Sequence, residues 1–453
     1  MKLRNLWILL MPGIMQAQTN ITDDITSNTV WDISGSPYII MNSISVQDGV
    51  TLSIDPGVEV KFDGGYSIAV LGEISAIGTV QDSIIFTSNR PNPNPLDWDR
   101  ILIQGKSSDN SELKYCKIKF ARVGVSFENT ASKISSSLIE RCHDAGITAV
   151  EGSPIIENNI VRDTRHSGSG LSTGIHITSG SPLISGNNIY NNDTGITVSN
   201  SAATIMRNLI YLNAFRGIEC GGSSTTIIIN NTIDNNGFNG GNNINVDSGS
   251  PIIKNNIVTN CSGDAGIRAT SGANPINTYN NVWNNRINYW SHGGTSEPGT
   301  GSISEDPLFV DPSNGDYHVQ SNSPCIDAGD PDSPLDPDGT RADMGAIPFH
   351  EGTHVTDDIT ENTVWDISGS PYVILNTVSV NQGATLTIES GVTIKFDSST
   401  SLIIKGTITA QGEESNRIIF TSNKSTPNIG DWGSVRIDTS SGNSSLIEYA
   451  NFS

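Results

Sequence analysis

The sequence predicts an all-β solenoid, because one short phrase returns six times between positions 146 and 283. Each copy holds two β-rich runs separated by Gly, Ser, Asn and Pro, and none has room for a helix. A unit this small can bury its apolar face only by stacking on its neighbours. The first isoleucine of each copy recurs about every 24 residues, which is a solenoid period: Ile147, Ile175, Ile196, Ile218, Ile244 and Ile267.

Two columns of residues indicate how the copies stack. The first run of each copy alternates at period two, so its apolar residues share the inward face of one strand. A column of asparagines beside a sharp turn can hydrogen-bond from coil to coil, and Asn tolerates the left-handed backbone of such a turn. Stacked parallel strands with this ladder predict a right-handed parallel β-helix. The inward pairs are Ile147/Ala149, Ile175/Ile177, Ile196/Val198, Ile218/Cys220, Ile244/Val246 and Ile267/Ala269. The predicted ladder is Asn159, Asn188, Asn208, Asn231, Asn256 and Asn281.

The repeats, from AGITAV…SPIIENNIV to AGIRAT…NPINTYNNVW, resemble the right-handed parallel β-helix repeat family, whose fold is shared with pectate lyases. The resemblance implies the fold, whereas its motif says little about function. A series of β-rich runs at 23–105 opens the coils, with Trp31 as an apolar lid on the first. We therefore expect the β-helix to span 23–290.

The first 17 residues are predicted to be a secretory signal peptide. Lys2 and Arg4 precede the apolar run LWILLMPGIM, and cleavage is expected near Ala17. No later stretch is long and apolar enough to span a membrane. The sequence thus predicts an extracellular or cell-surface protein.

A closing segment is predicted at 291–350, where the repeat pattern ends. The motifs DPLFVDP…GDYHV…SPCIDAG…DMGAIP resemble the terminal segment of secreted β-helix proteins of the "choice-of-anchor" kind. That resemblance implies a cover over the last coil, whose strand edges would otherwise invite aggregation. Within the segment, the Asn314-Gly315 pair predicts a hairpin.

A second, truncated β-helix module is predicted at 357–453. DDITENTVWDISGSPYVILNTVSV repeats DDITSNTVWDISGSPYIIMNSISV at an offset of 334 residues, so that Trp31 corresponds to Trp365 and Trp98 to Trp432. Because the second copy stops where the first enters its main coils, we expect the chain to be part of a longer tandem array.

Composition narrows the class of partner. The formal net charge is −22, and such an acidic surface disfavours nucleic acid. The five cysteines are scattered and predict no disulfide framework. Separately, we expect the protein to be a monomer. A polysaccharide or cell-surface glycan is the expected partner.

A catalytic site on a solenoid would be a cluster on one outer face, because the coils bring distant residues into register. The residue after each repeat isoleucine points outward, and on this face we select His176, Glu219 and Arg268 as candidate catalytic residues. Lyase chemistry on a uronate needs a cation, a base and an acid, which these three could supply. A solvated face without activity is the alternative interpretation.

Further candidates flank this face. The predicted substrate-binding residues are Asp193, Arg216, Arg162, Arg165 and His166. No cofactor is required, but five acidic residues of the closing segment could bind calcium or form a simple acidic loop. These predicted metal ligands are Asp330, Asp332, Asp336, Asp338 and Asp343.

Two functions remain open at this point. The modular duplication, the acidic surface and the loosely spaced polar residues favour a non-catalytic extracellular scaffold for adhesion or glycan binding. The alternative is a polysaccharide lyase or glycoside hydrolase that acts on an acidic polysaccharide. That alternative depends on fold resemblance, which is weak support for activity.

Overall fold

The computed structural model describes residues 18–165, 172–336, 340–349, 352–424, 427–438 and 444–453. The predicted signal peptide at 1–17 lies outside the described residues. The chain divides into two compact units, of which the first runs to Pro334 and includes Arg341–Pro348, and the second includes Phe349–Ser453.

The first unit is a parallel β-helix whose successive coils each pass through three sheets, here called A, B and C. Sheet A has twelve strands and sheets B and C have eleven each, all paired in parallel with the coil above and below. The fold class predicted from the repeats is therefore confirmed. Sheet A contains Thr19–Ile21, Tyr38–Ile40, Glu59–Phe62, Ile84–Ser88, Cys116–Lys119, Leu138–Glu140, Ile160–Arg162, Asn188–Tyr190, Leu209–Tyr211, Thr232–Asp234, Ile257–Thr259 and Asn281–Trp283. Sheet B contains Ile44–Val46, Ile68–Val70, Ile101–Gln104, Val123–Glu128, Ala145–Val150, Thr173–Thr178, Thr194–Ser199, Arg216–Gly221, Asn242–Val246, Ala265–Thr270 and Ile287–His292. Sheet C contains Thr29–Trp31, Thr51–Ile54, Glu73–Ile77, Glu112–Lys114, Lys133–Ser135, Ile155–Glu157, Leu183–Ser185, Thr204–Met206, Ile227–Ile229, Ile252–Lys254 and Ile276–Thr278.

The second unit repeats this construction with fewer coils. Its strands form parallel sheets of five, four and three members. They are Thr353–Val355, Tyr372–Ile374, Thr393–Phe396, Ile418–Ser422 and Ala450–Phe452; Thr363–Trp365, Thr385–Ile388, Thr407–Gln411 and Leu446–Glu448; and Val378–Val380, Leu402–Ile404 and Val435–Ile437. One-turn 3₁₀ helices lie at Ile33–Gly35, Lys106–Ser108, Pro312–Asn314 and Ile367–Gly369.

The core of each unit follows the period-two pattern. All twelve inward residues predicted for the six repeats have 0% exposure. The five cysteines are free and buried, and Cys220 fills a core position as expected. Trp31 is 2% exposed and stacks on Tyr38 with 4.9 Å between ring centroids, which fits its predicted role in the first coil.

The asparagine ladder exists, but two of its six predicted members are wrong. Side-chain amides link Asn159, Asn187, Asn208, Asn231, Asn256 and Asn280, each amide nitrogen donating to the next amide oxygen at 3.0 Å. Asn188 and Asn281 instead begin strands of sheet A. The left-handed backbone also belongs to the preceding residue, for example Asn158 (φ 54°) and Asn230 (φ 50°). The ladder residue itself therefore serves for hydrogen bonding rather than for the turn.

A second ladder, at the corner between sheets A and B, was missed. It links Asn192, Asn213, Asn236, Asn243, Asn285 and Asn288 at 2.8–3.2 Å. The first five amides also donate to backbone carbonyls inside the corner, as Asn213 does to Ile189, whereas Asn288 donates to the Ser304 hydroxyl. Two buried ladders thus satisfy the polar backbone at two of the three corners.

The closing segment first runs along the last coil, where the Tyr279 backbone donates to the Thr300 carbonyl at 2.8 Å and the Ile303 backbone donates to the Asn280 carbonyl at 2.9 Å. It contains the predicted hairpin, Phe309–Asp311 paired antiparallel with Asp316–Val319. It reaches the last coil where Asn281 donates to the carbonyl of Glu305 at 2.9 Å. The segment then continues along the outer side of sheet A, where the Tyr317 hydroxyl donates to Asp234 at 3.0 Å and Tyr317 packs on Tyr211. The segment therefore contacts both the last coil and the flank of the rod.

Candidate functional site

The outer face of sheet B carries one continuous polar row. Parallel register places one residue of each coil directly above the next: Thr148, His176, Thr197, Glu219, Asn245, Arg268 and Trp290. Their inward neighbours on the same strands are fully buried apolar residues such as Ile218 and Cys220. The structure therefore brings His176, Glu219 and Arg268 to one face, each separated from the next by one intervening coil. We call this row the sheet B face.

Glu219 is the most perturbed acid of the sheet B face. Arg216 on the same strand donates to its Oε1 at 2.8 Å, and the two form an ion pair. Burial raises the pKa of Glu219, the neighbouring Asp247 raises it further, and Arg216 opposes both. Because Asp247 lies within hydrogen-bonding reach, the two carboxyl groups form a pair on adjacent coils.

Asn245 and Asp247 connect Glu219 to the next coils. Asn245 has 0% exposure and donates to Asp247 at 3.0 Å, and Thr270 donates to the same carboxylate oxygen at 3.1 Å. Arg268 donates to Asn245 Oδ1 at 3.1 Å. These bonds hold the polar groups in fixed positions without a ligand.

Trp290 provides an aromatic surface beside Arg268. The Arg268 guanidinium lies 4.8 Å from the centroid of the Trp290 ring. The His292 ring stacks on the same indole, with 5.9 Å between the two ring centroids. Arg268 also lies 3.7 Å from Asp264. A partly exposed indole next to fixed hydrogen-bonding groups is an arrangement suited to a sugar ring, which has an apolar face and polar edges.

His176 lies apart from the acid pair. Its Nε2 is 3.1 Å from the Thr178 hydroxyl, and burial lowers its pKa, which favours the neutral imidazole. Thr197 separates it from Glu219, so the two side chains begin about 10 Å apart.

The predicted substrate-binding residues lie at different places. Arg216 is on the sheet B face, and Asp193 is buried immediately before the strand Thr194–Ser199. Arg162 is on sheet A, where it pairs with Glu140 at 2.6 Å. Arg165 is at the corner, where it donates to the Asn191 carbonyl at 2.8 Å. His166 lies outside the described residues.

Two of the predicted calcium ligands, Asp330 and Asp343, have protein partners in the structure. Asp330 pairs with Lys254 at 2.9 Å, which lowers its pKa, and Asp343 accepts from the Asp327 backbone at 2.7 Å. Asp338 lies outside the described residues. Among the residues that the structure describes, no three acidic, histidine or cysteine side chains are grouped to hold a metal ion.

Trp290 and Asp247 were missed as site residues. Trp290 follows in register after Arg268, but its strand reads INYWSH and lacks the repeat phrase. Asp247 lies one position beyond its strand, where a sequence pattern cannot tell an outward side chain from a loop. An extension of the outward column by one coil would have found Trp290.

Family models match most of the chain. A pectate-lyase-like β-helix domain matches residues 23–134 and again 357–446, and a right-handed β-helix region matches 166–299. No curated protein sequence matches the chain. In the described residues, no helix has the length and apolar character needed to cross a membrane.

The solved structures to which the chain is similar are distant in sequence. A pectate lyase, Pel9A, is 12% identical over 67% of this chain and 89% of its own, with a TM-score of 0.41. An alginate lyase from Paenibacillus sp. str. FPU-7 is 13% identical over 58% of this chain and 92% of its own, with a TM-score of 0.32. The PL6 family alginate lyase AlyGC is 10% identical over 95% of this chain and 71% of its own, with a TM-score of 0.29.

Proposed function

Since this chain belongs to the right-handed parallel β-helix proteins with pectate-lyase-like domains, we propose that it is a secreted or cell-surface scaffold that binds a glycan without cleaving it. The glycan would lie along the sheet B face, crossing several coils. The observation that carries this proposal is the partly exposed Trp290 ring, which lies against the Arg268 guanidinium, while Arg268 in turn bonds to Asn245 and Asn245 to Asp247. Aromatic surface with a few oriented polar groups is typical of binding sites.

Binding is favoured over lyase chemistry because the required groups are separated and already engaged. A lyase needs a base and a cation at the same sugar unit. His176 and Arg268 are four coils apart, about 19 Å along the rod. Arg268 bonds to Asn245 and stacks on Trp290, and Arg216 is paired with Glu219. Both arginines of the face therefore already have protein partners, which for Arg268 include Asp264 at 3.7 Å.

Glycoside hydrolysis is disfavoured by the acid pair itself. Glycosidases hold their two carboxyl groups about 5 Å or more apart so that a sugar or water fits between them. Glu219 and Asp247 lie within hydrogen-bonding reach of each other. Their closeness suits the recognition of a donor group rather than attack on a glycosidic bond.

The experiment is a glycan array with the wild-type protein and Trp290→Ala. We expect binding to a defined subset of glycans, and a loss of about tenfold or more in affinity when the indole is removed. In parallel, alginate, pectin and chondroitin are incubated with the protein, and the absorbance of the unsaturated product is followed. We expect no signal; a robust signal that disappears in His176→Ala would overturn the non-catalytic proposal.

A further inference from the structure

We propose that the sheet B face selects glycans built from amino sugars, with a protonated amine held between the carboxyl groups of Glu219 and Asp247. This inference depends on the proposed glycan-binding function and adds the chemical class of the ligand. It differs from the acidic polysaccharides considered from the sequence.

The first step is the charge of the acid pair. The positive charge of Arg216 compensates the negative charge of Glu219, with 2.8 Å between Arg216 Nη1 and Glu219 Oε1. The hydrogen-bond donors that reach Asp247 are the amide of Asn245 and the hydroxyl of Thr270, both of which are neutral. Two carboxyl groups and one guanidinium leave a formal charge of one negative unit at this position, which a ligand cation can balance.

The second step is the geometry of the donors that a ligand can supply. An ammonium group carries three donors and no acceptor, so it can bond to both carboxyl groups at once. An uncharged hydroxyl offers one donor, and an acetylated amine offers one donor and no charge. Asn245 is buried in register with Glu219 and donates to Asp247, so Asp247 is already held in place and the ordering cost of binding is reduced.

The third step is the exclusion of uronates. The chain carries a formal charge of −22, and the field of an acidic surface repels polyanions. The two arginines of the face are engaged, Arg216 with Glu219 and Arg268 with Asn245, the ring of Trp290 and, at 3.7 Å, Asp264. The Arg268 Nε makes no hydrogen bond to the described residues, but it is buried. A sugar carboxylate placed at Asp247 would therefore meet two carboxyl groups and only arginines that already have partners.

The fourth step is the length of the ligand. Trp290 lies three strands beyond Glu219 in the sheet B register, or about 14 Å along the rod. A single sugar cannot reach both the acid pair and the indole. An oligomer of several units can, so affinity should rise with chain length until both are occupied.

The experiment is titration calorimetry of the full chain with defined oligomers. The probes are glucosamine oligomers of two to six units, their fully N-acetylated counterparts, oligogalacturonate of equal length and oligolysine. We expect the amine form to bind about tenfold or more tightly than the acetylated form, the uronate to show no heat, and oligolysine to bind weakly. Affinity should increase from two to about four units and then level off.

Two variants test the acid pair. Asp247→Asn and Glu219→Gln each remove one negative charge, and each should reduce the preference for the amine form to about threefold or less. The matched control is Glu157→Gln, which removes the same charge from sheet C, where Glu157 pairs with Lys133 at 2.7 Å. The control should bind like the wild type, and thermal melts confirm that each variant is folded.

The outcomes separate the two proposals. If neutral or acetylated oligomers bind as well as the amine form and neither acid variant changes this, the amine inference is wrong while glycan binding stands. If oligolysine binds as tightly as the glucosamine oligomers, simple charge attraction explains the result and the inference is also wrong. If no glycan of any class binds, the proposed function itself fails.

Discussion

Ile218 shows at the residue scale how little freedom the core columns have. It has 0% exposure and lies between Ile196 and Ile244 of the adjacent coils. Ile218→Asp would bury an uncompensated charge, and we expect a loss of about 4 kcal/mol or more and the end of cooperative melting. Thermal unfolding by circular dichroism measures it. Ile276→Asp, at a 55% exposed position of sheet C, is the control and should melt like the wild type.

Glu219 gives a pH-dependent prediction at the same scale. Its pKa is raised in the folded state, mainly by burial, so the folded protein binds the proton more tightly than the unfolded chain. The stability that Glu219 contributes is therefore complete below its ordinary value of about 4.3 and is lost as the pH rises through the raised value. Glu219→Gln should melt at a higher temperature than the wild type at pH 7 and at nearly the same temperature near pH 4. If the melting temperatures of Glu219→Gln and the wild type differed more at pH 4 than at pH 7, the raised pKa of Glu219 would be contradicted.

Individual residues were predictable wherever the period-two pattern determined them. The inward columns follow directly from alternation and were confirmed in full. The ladder positions were wrong at Asn188 and Asn281, because the second of two adjacent asparagines was chosen there, a choice that is correct only at Asn159, Asn231 and Asn256. Asn187 and Asn280 lie two residues before the inward Ile189 and Val282, the same spacing as Asn159 before Val161. Alignment on the inward residue would have chosen correctly.

The corners are the elements on which the coils depend, and Asn231 tests them. Its amide donates to the Ile205 carbonyl at 2.9 Å and to Asn256 at 3.0 Å, and its oxygen accepts from the backbone and side chain of Asn208. Asn231→Ala leaves these buried partners unsatisfied, so we expect a loss of about 2–3 kcal/mol, less than for Ile218→Asp. Chemical denaturation measures it. Asn239→Ala, in the exposed loop of the same coil, should stay within about 0.5 kcal/mol of the wild type.

The second ladder and the sheet B face show why side-chain contacts between coils were harder to predict than the columns of inward residues. Asn236 and Asn243 are neighbours in the ladder but are seven residues apart, because the loop at 237–241 lies between them. Sequence spacing alone does not reveal such a contact. The pairing of Glu219 with Asp247 likewise depends on side-chain positions beyond the ends of regular strands. Strand register was enough to predict which residues share the sheet B face, whereas the side-chain contacts within that face could be seen only in the structure.

At the scale of the whole molecule, the duplication seen in the sequence is repeated in three dimensions. Phe62 stacks on Trp98 with 4.0 Å between centroids, and their counterparts Phe396 and Trp432 stack at 4.3 Å. The 3₁₀ helices at Ile33–Gly35 and Ile367–Gly369 are each capped by an aspartate, Asp32 and Asp366 respectively. Each aspartate accepts a hydrogen bond from the backbone of the serine two residues later. The same local interactions therefore build both units from related sequences, in agreement with the family model that matches each.

Each unit has its own apolar core, which predicts unfolding in two steps. The buried cluster of the first unit extends from Ile25 to Val282, and that of the second from Ile359 to Phe420. A solenoid's stability is approximately a sum over its coils and their interfaces, so the shorter unit should unfold at a lower urea concentration. Because the steepness of each transition scales with the surface exposed, the first step should also be the shallower one.

Equivalent substitutions in the two copies assign these steps. Phe62 and Phe396 are 0% and 1% exposed and occupy the same position 334 residues apart. Truncation of either to alanine should cost about 3–5 kcal/mol within its own unit. Phe396→Ala should shift only the transition at low urea, and Phe62→Ala only the transition at high urea, when unfolding is followed by tryptophan fluorescence and pulse proteolysis. A single transition that both variants shift equally would show that the two cores unfold as one cooperative unit, and the division proposed here would then be wrong.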